Sequence, residues 1–404
     1  MHIVHRLFCR SVQLAFRAAL PILPYRQPRL LNNLSEIAPL LHQKGIRSIL
    51  LVADAGVRQL GLTATLEESL LGDHIVFSVY EQRTPNPTID DVERALSQYH
   101  LTHAKAIVVV GGGSAMDCAK VVGARVARSK KPVAKMRGLL RVMRRTPLLI
   151  AIPTTAGTGS EATLAAVITD AKTHHKYPIN DFSLIPDYAV LDASLTLGLP
   201  PQITATTGMD ALTHAIESYI GRSTNKFTRA MAEDAVVRIV KYLRAAYDDG
   251  SSVEARRQLL RASYCAGVAF TRSYVGYVHG IAHSLGGQYG IAHGLANAVI
   301  LPHMLRHYGA SVTGKLAILA HKASLVPPGT GEEEAAERLI SWIEEMNRDF
   351  GIPKGIPQIR EEDIPQMARH ASRECNPLYP VPVLMNRQEL EAIYHELMHK
   401  EETR

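Results

Sequence analysis

The first half of the chain alternates short apolar runs with segments of helical periodicity. The runs SILLVA (48–53), AIVVV (106–110) and LLIAI (148–152) are each long enough for one strand. Continuous apolar runs of this length are typical of parallel strands that are covered on both faces. Residues 89–99, between the first two runs, have a helical pattern with two aspartates in the first turn. The pattern predicts an α/β region with a parallel sheet, whose ligands gather at the carboxyl ends of the strands.

After about residue 199 the short runs give way to long helical periodicities. Four segments are predicted to be helical: 206–219, 226–247, 253–271 and a stretch from 316 onward. The sequence LGLPP marks the change, because glycine and proline end regular elements. We therefore predict an α/β domain over 21–199 and an all-α domain over 200–404.

The first twenty residues form a separate basic segment. They contain three arginines and no acid, and the first acid of the chain is Glu36. Their apolar side chains recur at helical spacing. Such a helix can pack as an arm on the fold or on a neighbouring subunit, and the same pattern occurs in transit peptides, membrane-surface anchors and targeting tags. We predict that residues 1–20 are an amphipathic arm for targeting or assembly.

Composition limits the class of protein. A chain of 404 residues with 46% hydrophobic and 21% charged residues is expected to fold into two domains. Its four cysteines form no CxxC pair, which argues against a disulfide framework and against a thiolate zinc site, and favours the cytoplasm. No apolar run reaches the roughly 18 residues that a transmembrane helix needs.

The net charge of +7 comes from one segment. Residues 125–145 contain nine lysines and arginines and no acid. Such a segment could attract an anionic partner, or it could be an ordinary solvated loop. It lacks aromatic side chains for stacking on bases, so nucleic-acid binding is not expected.

Two loops of small residues follow predicted strands and suggest a nucleotide site. GGGSAMD leads from a strand through three glycines into a helix, whose first N–H groups favour a phosphate. PTTAGTGSE follows the third strand and offers hydroxyls to ribose or phosphate oxygens. Asp54, after the first strand, could accept bonds from ribose and would repel a 2′-phosphate, which favours NAD over NADP. Either loop alone could be an ordinary turn, but the pair favours one dinucleotide.

A second group of chemically active residues lies in the helical half. GMDALTH places Asp210 and His214 one helical turn apart on the same face. YVHGIAHSLGGQYGIAHG relates His279 to His283 in the same way and adds His293 after a glycine-rich turn. One carboxylate with imidazoles suits Fe²⁺ or Zn²⁺. The spacing leaves open which three of the four histidines bind, and any single one could be a hydrogen-bonded core residue.

Together these motifs resemble those of the iron-containing (group III) alcohol dehydrogenases. Four stretches carry the resemblance: GGGSAMDCAK (111–120), PTTAGTGSE (153–161), GMDALTHAIESY (208–219) and HGIAHSLGGQYGIAHGLANAVILPH (279–303). The similarity runs from about residue 30 to about residue 399 and leaves the arm outside. It implies a dinucleotide-binding α/β domain followed by a helical metal-binding domain, the architecture of the dehydroquinate synthase-like fold. It also implies an active site between the domains, and homodimers or higher homo-oligomers.

The resemblance assigns roles to individual residues. It implies four metal ligands, Asp210, His214, His279 and His293, and a catalytic role for His283 near the nicotinamide and the alcohol. The implied cofactor-binding residues are Asp54, Asn86, Gly112, Gly113, Ser114, Thr154, Thr155, Thr158 and Lys176, to which we add Asp117 after the glycines. The implied activity is hydride transfer between NAD(H) and a primary alcohol or small diol, with Fe²⁺ as the metal and Zn²⁺ as the alternative.

Two other functions remain open. A lyase of the dehydroquinate synthase type also joins NAD to a metal site on this scaffold, although such enzymes use basic residues to hold an acidic substrate. The chain could also be a scaffold or assembly protein with vestigial catalysis, in which the arm and residues 125–145 recruit an anionic partner. The complete set of expected metal ligands argues against the second alternative.

Overall fold

The computed structural model describes residues 3–84, 86–171 and 175–398, with only the backbone of His175. Residues 24–199 form one compact unit. Residues 200–398 form the other unit, together with the N-terminal residues 3–23. The predicted arm is therefore part of the helical unit in this structure.

A parallel sheet forms the centre of the α/β unit. Its strand order is β1-β9-β6-β4-β2-β3, and a smaller sheet has the order β5-β8-β7. The strands are β1 (Arg29–Leu31), β2 (Ser48–Asp54), β3 (Val76–Gln82), β4 (Ala106–Gly111), β5 (Gly138–Leu139), β6 (Leu148–Pro153), β7 (Ala165–Asp170), β8 (His175–Asn180) and β9 (Tyr188–Val190). The three predicted strands are β2, β4 and β6, and each runs one residue further than the apolar pattern.

The central strands are apolar on both faces because each face meets its own core. Leu50, Val52 and Val109 pack into one buried cluster, while Leu51 and Val108 pack into another on the opposite side. The helices that cover the sheet are α2 (Ile37–Gln43), α3 (Ala55–Gln59), α4 (Ala64–Gly72), α5 (Ile89–Leu101) and α6 (Gly113–Ala127). This layering explains why the strands show continuous apolar runs and no alternation.

The other unit is helical throughout its regular structure, apart from short 3₁₀ turns, in the part of the chain that is described. Its helices are α1 (Ile3–Ala19), α7 (Pro201–Ile220), α8 (Lys226–Asp248), α9 (Val253–Ser273), α10 (Tyr277–Tyr289), α11 (His293–Tyr308), α12 (Thr313–Lys322), α13 (Glu332–Asp349), α14 (Ile364–Cys375) and α15 (Arg387–Met398). The start of α7 lies five residues before the predicted one, because Pro201 occupies the first helical position, where its missing N–H costs nothing. Among the described helices, none has the length and apolarity that crossing a membrane requires.

Several basic side chains of residues 125–145 bind other groups of the α/β unit, including backbone carbonyls of the same segment. Arg125 forms a 2.7 Å salt bridge to Glu93. Arg128 donates to the carbonyl of Val142, and Lys131 donates to the carbonyl of Arg141. These contacts give several of the basic side chains a structural role, and an anionic partner for the segment stays a prediction.

Candidate functional site

Four potential ligands meet inside the helical unit. Asp210 and His214 come from α7, His279 from α10 and His293 from α11. One ligand atom of each lies within 4.8 Å of the others. Asp210, His214 and His279 are buried, whereas the side chain of His293 is 38% exposed. The cluster is thus enclosed except on the side of His293.

The chemistry of this cluster fits a divalent metal ion. Burial lowers the pKa of His279 well below its usual range, and the neighbouring histidines lower it further, so the ring is a neutral ligand. Two ligands that are each about 2.1 Å from one ion lie no more than about 4.2 Å apart, so the observed spacing needs only a small inward shift. One carboxylate with three imidazoles suits Fe²⁺ or Zn²⁺. His283, which spacing alone could not separate from the other histidines, lies outside this group.

Glycine at position 294 allows α11 to approach α7 closely enough for the cluster to form. A Cβ atom on Gly294 would lie 2.6 Å from the carbonyl oxygen of Thr206 and 3.4 Å from the Cβ of Asp210. Any side chain here would push the two helices apart. The glycine beside His293 is therefore explained by helix packing at the site.

Glu217 orients His279 from behind and was not among the residues predicted from the sequence. Its buried carboxylate accepts hydrogen bonds from the backbone N–H groups of Gly276 and Val278, each at 2.8 Å, and from Nδ1 of His279 at 2.6 Å. The proton on Nδ1 leaves the Nε2 lone pair directed into the cluster. Burial raises the pKa of Glu217 to about 7. The spacing Asp210, His214, Glu217 along one helical face was the available signal.

Asn297 touches three of the four candidate ligands and was also missed. It is fully buried on α11, one turn after His293. Its Nδ2 donates to Oδ1 of Asp210 at 2.7 Å and lies 3.2 Å and 3.1 Å from Nε2 of His279 and His293. The amide therefore fixes the Asp210 carboxylate and the spacing of the two rings.

His283 occupies the open side of the cluster. Its side chain is 41% exposed, and its ring stacks on that of His293 with 5.3 Å between centroids. Its Nδ1 bonds to Oε1 of Glu374 at 2.6 Å, and the hydroxyl of Tyr379 donates to the same oxygen at 2.8 Å. Because Glu374 binds Nδ1 of His283, the ring has a defined orientation beside the candidate metal ligands.

The predicted cofactor loops lie side by side in the α/β unit. β2, β4 and β6 are neighbours, so Asp54, the glycine loop and the hydroxyl-rich loop all follow the carboxyl ends of adjacent strands. The N–H of Thr154 donates to the carbonyl of Gly111 at 3.1 Å. A Cβ atom on Gly113 would lie 3.0 Å from Cγ2 of Thr158. The small residues thus allow the two loops to touch.

The first turn of α6 presents backbone N–H groups. Several of the predicted cofactor-binding residues lie in this turn or next to it. Gly112 is the N-terminal cap of α6, and Ser114 lies in its first turn. Thr155 faces Gly112, since its Oγ1 lies 3.8 Å from the place of a Cβ atom there. Asp54 caps α3 by accepting the N–H of Gly56 at 2.9 Å. These positions form one edge at which backbone N–H groups and hydroxyls are concentrated.

Asp117 ties α6 to the hydroxyl-rich loop. Its carboxylate accepts hydrogen bonds from the N–H of Val167 at 2.9 Å and from the hydroxyl of Ser160 at 3.1 Å. Burial raises the pKa of Asp117, and the charges of Lys120 and Lys176 partly offset the rise. The structure therefore shows a positioning role for Asp117, while its direct contact with a cofactor stays a prediction.

Lys120 is a further buried group that was not predicted from the sequence. Its ammonium group donates to the hydroxyls of Ser160 and Thr163 and to the carbonyl of Ala165, at 2.8 to 2.9 Å. Burial lowers its pKa to about 8, and the charge of Asp117 opposes that change. Lys120 therefore fixes the end of the hydroxyl-rich loop.

The remaining predicted cofactor residues lie at the surface of the same unit. Asn86 is exposed after β3, and Lys176 is exposed on β8. Asp91 shapes the loop around Asn86 by accepting hydrogen bonds from the hydroxyls of Thr84 and Thr88 at 2.8 and 2.7 Å. Pro85, which the sequence places in this turn, lies outside the described residues. The sequence signal for Asp91 was the capping pattern at the start of α5.

Comparison with known proteins identifies the family. The pattern described as "Iron-containing alcohol dehydrogenase" matches residues 31–193, and that of "Fe-containing alcohol dehydrogenase family, C-terminal" matches residues 204–398. The chain belongs to the iron-containing alcohol dehydrogenase family. This confirms the predicted family and enzyme class. The parallel sheet followed by a helical unit confirms the predicted fold class.

Individual relatives are similar over most of their length. The 1,3-propanediol dehydrogenase of Klebsiella pneumoniae is 34% identical over 369 residues, which cover 90% of this chain and 95% of that protein. The NAD-dependent methanol dehydrogenase of Bacillus methanolicus is 35% identical and covers 83% of this chain and 88% of its own length. The crystal structure of a 1,3-propanediol oxidoreductase superposes with a TM-score of 0.88 at 34% identity, covering 92% of this chain and 99% of that one. The dehydroquinate synthase-type and scaffold alternatives are not favoured.

Proposed function

We propose that the protein interconverts a small primary alcohol or diol and the corresponding aldehyde, with NAD(H) and one divalent ion held by Asp210, His214, His279 and His293. The observation that carries the proposal is the set of four ligand atoms within 4.8 Å of one another. The names of the relatives, a propanediol and a methanol dehydrogenase, support small alcohols as substrates. A bound divalent ion supplies Lewis-acid chemistry at the substrate oxygen, and NAD⁺ is the hydride acceptor.

The residues around the cluster prepare it for that chemistry. Glu217 holds the proton of His279 on Nδ1, which keeps Nε2 available for the ion. Asn297 donates to Oδ1 of Asp210 and so limits the rotation of that carboxylate. Both residues position ligands and do not themselves touch the substrate in this proposal.

His283 is proposed to move the proton of the alcohol. It lies beside His293 on the exposed side of the cluster, where substrate and water can reach it. Glu374 binds its Nδ1, so Nε2 is the nitrogen that would exchange a proton with the substrate hydroxyl or with an intervening water.

The proposed cofactor is NAD, held by the loops of the α/β unit. The N–H groups at the start of α6 would receive a phosphate, and the threonine hydroxyls of the adjacent loop would bind oxygens of the nucleotide. Asp54 would accept bonds from ribose hydroxyls and repel a 2′-phosphate. Fe²⁺ is the proposed metal and Zn²⁺ the alternative, since the donor set accepts both.

Location and assembly complete the proposal. Each cysteine is a buried, free thiol, which supports a reducing compartment such as the cytoplasm. From the family we propose a homodimer or higher homo-oligomer. Analytical ultracentrifugation would measure the mass of the assembly.

The test compares Asp210→Ala with His283→Ala in anaerobically purified protein. Asp210→Ala should lose bound metal and lower kcat/KM by about 10³-fold or more, because Lewis-acid stabilisation supplies several kcal/mol. His283→Ala should keep the metal and lower kcat by about 10²- to 10⁴-fold. Metal analysis and NADH formation with methanol, 1,3-propanediol and longer alcohols are the measurements. Full metal content and turnover in Asp210→Ala would contradict the metal site, and an unchanged rate in His283→Ala would remove its proposed role.

A further inference from the structure

The N-terminal helix α1 is attached to the helical unit through polar contacts. Gln13, which is buried, donates to the carbonyls of Pro377 and Tyr379 at 3.3 and 2.7 Å. The guanidinium of Arg10 donates to the carbonyls of Val381 and Pro382 at 2.7 and 2.8 Å. These four hydrogen bonds hold α1 against residues 377–382.

The apolar face of α1 points away from the protein. Five large apolar side chains on this helix are between 54% and 70% exposed: Ile3, Val4, Leu7, Phe8 and Leu14. With 3.6 residues per turn they fall within a sector of about 140°, and the other residues of that sector are serine and alanine. A surface helix normally turns such a face toward the core. On α1, Cys9 is buried and Phe16 contacts Tyr274, but the five exposed apolar side chains form a face that no other described element covers.

A basic rim runs along one edge of this apolar face. Arg6, Arg10 and Arg17 lie together on one side of the helix, within about 40° by the same helical geometry. None of the three forms a salt bridge with a carboxylate of the described residues. The helix therefore combines an uncharged apolar sector with a neighbouring row of uncompensated arginines.

Basic groups of the helical unit lie near Arg17. Burial lowers the pKa of Lys315 to about 8, and the charges of Arg229, Arg222 and Arg17 lower it further. The Lys315 ammonium donates to the carbonyls of Ile220 and Gly221, with no carboxylate partner in the described chain. Positive groups from α1 and from the body thus lie close enough to repel one another.

An anionic surface suits this arrangement better than a second copy of the chain. Two copies packed through their apolar faces would bring two positively charged rims together, which costs free energy. An anionic bilayer would accept the apolar side chains at its headgroup boundary and neutralise the arginines.

We propose that α1 is a peripheral membrane anchor, which inserts Ile3, Val4, Leu7, Phe8 and Leu14 into an anionic phospholipid surface while Arg6, Arg17 and the adjacent basic groups bind lipid phosphates. The anchor is independent of the proposed oxidoreductase chemistry, because none of its residues belongs to the metal cluster or to the cofactor loops. It would hold the enzyme at a membrane without a transmembrane helix.

The test is co-sedimentation of the full-length protein with vesicles. Phosphatidylcholine vesicles that contain about one third phosphatidylglycerol should bind the protein, and pure phosphatidylcholine vesicles should bind it at least about tenfold more weakly. Leu7→Asp/Phe8→Asp should abolish the binding. The matched control is Leu101→Asp, which adds a charge at a leucine that is 79% exposed in the α/β unit, and it should bind almost as the unchanged protein does.

A second variant tests how much the arginines contribute to vesicle binding. Arg6→Gln/Arg17→Gln should weaken binding to the anionic vesicles by about 25-fold, since each basic residue near such a surface contributes about fivefold. Added salt should weaken binding of the unchanged protein. The proposal is wrong if the protein fails to bind the anionic vesicles, if it binds neutral vesicles equally well, or if the Leu7/Phe8 variant still binds. It is also wrong if, without lipid, the same variant splits an oligomer into monomers, because a second copy would then cover the face.

Discussion

In the helical unit the candidate metal site is made of side chains, whereas in the α/β unit the candidate cofactor site is made largely of backbone and small residues. The metal cluster depends on polar groups behind the ligands, such as Glu217 and Asn297. The loops depend on missing side chains, because Gly113 must allow Thr158 to come close. A side-chain site should therefore bind its ligand more weakly when a supporting partner is removed, and a backbone site should bind more weakly when a methyl group is added.

The largest change in stability and metal affinity is expected at the side-chain site, from Glu217→Ala. The substitution leaves two backbone N–H groups and Nδ1 of His279 buried without their acceptor, which should cost about 3–5 kcal/mol of unfolding free energy. Metal affinity should fall by about 10- to 100-fold, because a ligand loses its orienting partner. Chemical denaturation and metal titration measure the two effects.

Glu217→Gln is the matched control for that variant. Its amide oxygen can still accept from the backbone, so its loss of stability should be smaller than that of Glu217→Ala. Equal stability and metal affinity in Glu217→Ala and the unchanged protein would show that the cluster needs no support from behind.

A smaller effect is expected from Asn297→Leu. The leucine has the same branched shape and number of side-chain heavy atoms but removes the donor to Oδ1 of Asp210, so metal affinity should fall by about tenfold. Asn347→Leu is the control, because Asn347 is another buried amide that donates to the carbonyl of Ala298 and touches none of the candidate ligands. It should lower stability without changing metal affinity. Equal metal affinities for both variants would mean that Asn297 does not position Asp210.

The smallest effect is expected from adding one methyl group to the glycine loop. Gly113→Ala places a Cβ atom 3.0 Å from Cγ2 of Thr158, so the loops must separate by a few tenths of an ångström. NADH affinity, measured by fluorescence titration, should fall by about 3- to 10-fold, the equivalent of about 1 kcal/mol. Metal affinity should not change.

Gly112→Ala sharpens the same experiment. A Cβ atom there meets nothing closer than 3.8 Å in the protein, so any loss of NADH affinity would report the approach of the dinucleotide itself. Gly72→Ala, where a Cβ atom meets nothing within 4 Å, is the control for the added methyl group. If Gly113→Ala lowered metal affinity as much as NADH affinity, the two sites would not be independent of each other.

Much of the fold followed from local pattern. The apolar runs predicted β2, β4 and β6, because a strand buried on both faces needs a continuous run, and long periodicities predicted α8 and α9 within two residues at their ends. The boundaries of shorter helices such as α14 were not resolved by periodicity. The partners of the buried polar groups could not be predicted either, since Lys120 binds groups forty or more residues away in the chain.

By itself the sequence determined the family, the order of the sheet-containing and helical regions, and the residue types able to bind a metal and a dinucleotide, because these depend on composition and spacing along the chain. Only the tertiary structure decided that Glu217 and Asn297 support the group formed by Asp210, His214, His279 and His293. It also decided that α1 buries Cys9 and Gln13 and leaves five large apolar side chains exposed. The physical reason is that helical spacing fixes which residues share a face, whereas the direction of that face depends on packing between residues that are distant in the chain.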